Sequence, residues 1–182
     1  MHLDNRRMMQ MDPQAQEADS RSRNETTLHG GCRCGAVRYA VSLDQLPPVY
    51  CCHCLSCQSG SGSAFSEQAV VSESSIEASG PVLDYRFARP DGSKGHHRLC
   101  AECYTRLWST SAAFPNLALL RAGTLDRSQE LIPKGHMWTK RKQAWLQIPD
   151  GIPQWAETPP KNQLIEALGW RQSQPASSFS KE

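Results

Sequence analysis

Cysteines carry most of the chemistry this sequence could perform. Eight of them fall in 182 residues, and seven stand at the short spacings that chelate a metal ion. Cys32-Arg33-Cys34 lies on a Gly-flanked bend, and Cys100-Ala101-Glu102-Cys103 follows much later in the chain. Two such pairs folded together supply four thiolates, the donor set of a closed tetrahedral Zn²⁺ site with no position left for a substrate, so the role expected of Cys32, Cys34, Cys100 and Cys103 is structural. Two independent buried or redox-active thiol pairs are the alternative.

The second cluster reads Cys51-Cys52-His53-Cys54-Leu55-Ser56-Cys57. In an extended segment Cys52 and Cys54 point to one face while Cys51 and His53 point to the other. A following turn returns Cys57 to the first pair. Three sulfur ligands leave a metal one open position, the mark of a catalytic zinc, and Cys52, Cys54 and Cys57 are the expected catalytic ligands. Closure of the shell by His53 is the rival reading, and Cys51 reads as a small buried hydrophobe. Three thiolates and Zn²⁺ sum to a formal −1, which blunts acidification of water and favours a soft incoming thiolate. No other cofactor is implied, and two zinc ions per chain follow from the two clusters.

The elements that must position these residues are short strands. Val37, Tyr39 and Val41 alternate with Ala36, Arg38 and Ala40, and the runs Val82 to Phe87 and Leu117 to Leu125 are also β-rich. Glycine and proline punctuate them closely, and no amphipathic helix longer than three turns fits between. The expected fold is mainly β, a small metal-bound domain of short twisted sheets over residues 28–158. Residues 1–27, with four basic and five acidic groups and no periodicity, read as a disordered polar tail. Residues 159–182 read as a C-terminal tail with a short helix at Asn162 to Trp170.

Composition excludes several classes. A net charge of +2 implies no strong field for nucleic acid or anionic lipid. Residues 1–27 lack the apolar stretch of ~7–15 residues a signal peptide needs, and Leu117 to Leu120 is far too short to span a bilayer. A reducing cytoplasm is the expected location, where paired cysteines serve metals or redox chemistry more often than structural disulfides. His136 reads as a structural histidine or as a general acid or base. His96 and His97 read as solvated residues of a Gly/Ser/Lys-rich loop. Lys140-Arg141-Lys142, with Trp138 and Trp145, reads as a solvent face beside two core tryptophans, or as a site for a carboxylate or for nucleic acid.

Four blocks in order resemble the family of glutathione-dependent formaldehyde-activating enzymes, which includes centromere protein V and has an Mss4-like fold. They are Gly31 to Val37, Cys52 to Cys57 continuing through Gly62 to Phe65, Cys100 to Trp108, and His136 through Lys142, Trp145 and Asp150-Gly151-Ile152-Pro153 to Glu157. The resemblance implies a structural zinc on Cys32, Cys34, Cys100 and Cys103 and a catalytic one on Cys52, Cys54 and Cys57. It also implies formation of S-hydroxymethylglutathione from glutathione and formaldehyde, formally a carbon–sulfur lyase in reverse, with glutathione or a related small thiol as partner. The class expected is therefore a lyase; a zinc module that binds protein or nucleic acid, or a thiol redox switch at Cys51 and Cys52, are the other readings. Gln58 and Ser59 stand where the family often has basic residues, a loss that Arg98, Arg106, Lys140, Arg141 or Lys142 would have to offset. Tyr104 replaces the glycine that commonly follows the last cysteine, a change tolerated if that knuckle needs no positive φ.

Overall fold

The computed structural model describes residues 26–169 apart from 44, 89–91, 93 and 113. The N-terminal tail as far as residue 25 and the stretch from 170 onward lie outside the described residues. In chain order the elements are β1 (Thr26–Gly31), β2 (Arg38–Leu43), β3 (Val49–Cys52), α1 (Leu55–Ser61), β4 (Ser66–Ser72), β5 (Ile76–Ser79), β6 (Val82–Ala88), β7 (Lys94–Cys100), β8 (Arg106–Ser111), β9 (Phe114–Arg121), β10 (Pro133–Met137), β11 (Gln154–Trp155) and α2 (Lys161–Leu168). The fold is mainly β, as the period-two patterning predicts.

Two sheets result. A three-stranded antiparallel sheet has the order β1-β2-β5, and an eight-stranded mixed sheet runs β11-β10-β3-β4-β9-β8-β7-β6. Within the larger sheet β10 lies parallel to both β3 and β11, and the remaining pairs are antiparallel. Alternation on β2 works as read: Val37, Tyr39 and Val41 are buried while Arg38 is exposed. Those three side chains join Ala69, Val71, Leu107, Trp108, Ala118 and Leu120 in the main core. Each large apolar side chain buried there contributes roughly 1.5–3 kcal/mol.

The opposite face of the large sheet carries a second, smaller core of Tyr50, Cys52, Val70, Met137 and Leu168, flanked by Leu164, Trp138 and Trp155. It exists because β3 is buried on both faces; Val49 belongs to one core and Tyr50 to the other. Leu164 and Leu168 of α2 help to cover that face, and α2 ends at Gly169, whose φ of 60° gives the left-handed cap.

Three expectations need correction. The strand expected over Leu117 to Leu125 ends at Arg121, because Ala122–Thr124 form a 3₁₀ turn in which the Thr124 hydroxyl donates to the Arg121 carbonyl at 2.7 Å. Leu125 is nonetheless buried, bridging to Gly30. His96 and His97 lie within β7 rather than in a solvated loop. The His97 ring packs against Phe87 at 4.4 Å between centroids and its Nε2 accepts from Arg106 Nη1 at 3.1 Å, so it is held as an acceptor on the neighbouring strand. Trp145 is 68% exposed and is no core residue; its indole donates to Gln143.

Candidate metal centres

The first cysteine group is assembled by two similar knuckles. After Cys34 the chain turns at Gly35, φ 80°, with Gly35 N–H donating to the Cys32 carbonyl at 3.1 Å. After Cys103 it turns at Tyr104, φ 58°, with Tyr104 N–H donating to the Cys100 carbonyl at 3.0 Å. The second knuckle therefore does require positive φ, contrary to the condition under which a tyrosine would be tolerated there without strain. The phenol ring is 68% exposed, so little packing opposes its removal. Tyr104→Gly is expected to stabilise the protein by about 0.5–1 kcal/mol, the left-handed penalty relieved less the entropy cost of glycine, read as a raised thermal midpoint; an unchanged or lower midpoint would contradict the strain.

All four sulfurs of Cys32, Cys34, Cys100 and Cys103 lie within 4.8 Å of one another. Cys32 and Cys34 Sγ are 3.4 Å apart, and Cys34 and Cys100 Sγ 3.8 Å. Ligands at ~2.3 Å from a tetrahedral zinc sit about 3.8 Å from each other, so the cage already has the right edge. Val37 N–H donates to Cys32 Sγ at 3.2 Å, and the Thr105 hydroxyl lies 3.1 Å from Cys103 Sγ. Such donors to sulfur favour thiolate. They hold Cys32 below the usual thiol range, despite the opposing effect of burial, and Cys103 down at about 5.

The second group sits where β3 runs out into α1, on the face of the smaller core. The sulfurs of Cys52, Cys54 and Cys57 lie within 4.8 Å of one another. Cys54 is the N-cap of α1, its Sγ accepting from Cys57 N–H at 3.4 Å. The neighbouring sulfurs of Cys52 and Cys57 favour the thiolate at Cys54, and, against the opposite effect of Cys52, the Cys54 sulfur in turn raises Cys57 above the usual thiol range. None of the eight cysteines is joined in a disulfide. Thiolate-rich sets of this kind suit zinc.

His53 does not join the three sulfurs. It is fully buried, its backbone N–H donates to the Met137 carbonyl at 3.0 Å, and its ring Nε2 lies 2.9 Å from His136 Nδ1. The two rings stack at 5.2 Å between centroids. Register explains the separation: His136 pairs with Cys51 and Met137 with Cys52, so the histidines share the face of Cys51 while the sulfurs take the other. Burial, reinforced by the neighbouring ring, holds His136 down at about 4, so it is neutral near pH 7. Cys51 is 1% exposed and stays outside both sulfur groups; burial first, then Glu67 opposite it on β4, raises its thiol to about 12.

Gln58 has a role that composition cannot reveal. Its Nε2 donates to the carbonyls of His53 at 2.7 Å and Arg141 at 2.9 Å, and so latches α1 to the 3₁₀ turn Thr139–Arg141. Losing both bonds in Gln58→Ala is expected to cost about 1–3 kcal/mol, seen as a lower denaturant midpoint at unchanged slope; a midpoint equal to the parent's would dismiss the latch. Lys140 on that turn pairs with Glu157 and lies 5.2 Å from the Trp138 ring centroid, and Lys142 Nζ donates to the carbonyls of Gln143 and Leu146. Arg98 pairs with Asp84 at 3.4 Å. Lys140, Lys142 and Arg98 are thus engaged within the protein.

No helix among the described residues is long and apolar enough to cross a membrane. A family model described as glutathione-dependent formaldehyde-activating enzyme matches residues 27–141. A Halomonas elongata protein carrying the same name as a provisional description is 28% identical over 127 residues, which cover 66% of this chain and 80% of that one. A crystal structure of a Rhodobacter sphaeroides protein covers 70% of this chain and 98% of its own, at 16% identity and a TM-score of 0.42. The family match includes both cysteine groups, from Cys32 to Cys103, and the strands that assemble them. On that span, well over half its length, the chain belongs to the family of glutathione-dependent formaldehyde-activating enzymes.

Proposed function

We infer that this protein is a zinc-dependent carbon–sulfur lyase that makes or breaks the adduct of glutathione, or a related small thiol, with formaldehyde or another small aldehyde. One observation carries the reading: Cys52, Cys54 and Cys57 bring three sulfurs together while His53, the nearest candidate for a fourth ligand, is turned to the other face of the sheet and occupied by His136. Cys32, Cys34, Cys100 and Cys103 are the structural zinc ligands in this reading, and Cys52, Cys54 and Cys57 the catalytic ones. Zinc held by Cys52, Cys54 and Cys57 would supply an acceptor for a substrate sulfur and favour its thiolate near neutral pH, where a free thiol of pKa ~8.5 is mostly protonated.

The chain's own residues hold and shape that site. Cys54 caps α1 and so fixes Cys57 one turn away, while β3 fixes Cys52 opposite them. Gln68 Nε2 approaches Cys57 Sγ at 3.7 Å and its Oε1 accepts from the Tyr50 hydroxyl at 3.3 Å, which orients the amide toward sulfur. In the synthetic direction the substrate sulfur attacks the aldehyde carbon; the carbon–sulfur bond forms as the carbonyl π pair moves to oxygen, which takes up a proton. The lytic direction returns the same proton and electron pair. Holding the two reactants side by side replaces a bimolecular encounter with an intramolecular one.

The test is bound zinc per chain together with NMR exchange of formaldehyde and glutathione against their adduct, with and without protein. Two zincs and accelerated exchange are expected. Two zincs without acceleration for glutathione or other small thiols would remove the enzymatic reading.

A further inference from the structure

Arg121 closes β9 on the face that carries the three sulfurs. Register places it directly beside Gln68, which pairs with Tyr50, so the three side chains form one row across β9, β4 and β3. Gln68 and Tyr50 are the residues already bonded toward Cys57. The guanidinium runs beneath α1, its Nη2 3.9 Å from the point where a Cβ on Gly60 would stand. That nitrogen is buried and has no hydrogen-bond partner, and no ion pair joins Arg121 to a carboxylate among the described residues. A guanidinium cannot shed its charge to escape such a setting, so it needs an anion.

Burial works against the Arg121 charge and holds its pKa below the ordinary guanidinium value, while nearby Cys57, Tyr50 and Cys52 act in the other direction and favour the charged form. With a divalent cation bound, the sulfurs of Cys52, Cys54 and Cys57 are the anionic groups on this face. Three thiolates around a divalent cation carry a net charge of −1, and one guanidinium cancels it.

We propose that Arg121 is the counter-cation of the three-sulfur site, a positioning residue that balances the loaded trithiolate and so lets a further anionic sulfur enter. The proposal rests on the metal-binding reading of Cys52, Cys54 and Cys57. Softness already favours sulfur over water at a site of −1, and neutralising that charge lowers the repulsion an incoming thiolate meets there. Arg106 lies next to it, its Nη1 4.0 Å from the same point over Gly60 and its Nε buried without a partner, and extends the positive field under α1.

Competition with a chromophoric zinc chelator, run on the two-zinc protein, tests this. Arg121→Gln and Arg121→Met are expected to weaken one of the two zincs by about 10- to 100-fold and to leave the other unchanged, which also reports an intact fold. Arg121→Lys, which keeps the charge, is expected to hold that zinc within about three-fold of the parent. Equal zinc affinity in the parent and Arg121→Gln would overturn the proposal, as would an Arg121→Lys protein as weak as Arg121→Met, since shape rather than charge would then be responsible. A parent protein that binds a single zinc would instead sink the metal reading of the three cysteines, and this proposal with it, whatever the variants did.

Discussion

Cys54→Ser is expected to abolish the second metal site and all adduct exchange while the fold and the first metal survive. The sulfur removed is one of only three, so the site falls to two protein ligands and its affinity drops by orders of magnitude. The fold survives because the same position is the N-cap of α1, and serine is among the best residues there; its hydroxyl can take over acceptance of the Cys57 N–H that Cys54 Sγ now provides. Half-buried Cys54 also leaves no large cavity when sulfur becomes oxygen. The readouts are zinc per chain, expected to fall from two to one, and the exchange rate by NMR, expected to match the protein-free sample. Undiminished exchange with one zinc would remove the three-cysteine site from the chemistry.

Cys100→Ser should remove the first metal instead, with a larger effect on stability. Cys100 is fully buried and belongs to the main core together with Cys32, so its sulfur is at once a packed atom and a ligand of the four-sulfur cage. A structural zinc in small zinc-binding peptides contributes about 10–16 kcal/mol, as much as the whole stability of an ordinary domain at ~5–15 kcal/mol. The variant is therefore expected to lose cooperative thermal unfolding and to bind the second zinc only weakly, because β7 and β8 are no longer tied to the β1–β2 knuckle. Chelation of zinc from the parent should give the same result and reverse when zinc is returned. A Cys100→Ser protein that melts cooperatively within a few degrees of the parent would show that the first cage is not structural.

Much of this protein is legible without coordinates. The short cysteine spacings are local: a knuckle of three or four residues brings two sulfurs together whatever the rest of the chain does, and a capped helix turn does the same for Cys54 and Cys57. Period-two alternation sends Val37, Tyr39 and Val41 inward and separates Cys52 from His53 for the same reason, since successive side chains on a strand face opposite ways. The left-handed backbone at Tyr104 was not legible, because a side chain other than glycine hides the turn that glycine would have announced.

Tertiary structure decided the rest. The contact of His53 with His136 spans 83 residues and exists only because β10 lies parallel to β3 in one register. His97 reads as a loop residue until β8 pairs beside it and supplies Arg106. Arg121 follows the apolar run Leu117 to Leu120, and only strand register sets it in one row with Gln68 and Tyr50. Spacing along the chain determines which ligands can chelate together, because that geometry closes within one turn. Which charges and donors stand behind them depends on strand order and register, and those are set by the sum of many distant contacts that no local pattern contains.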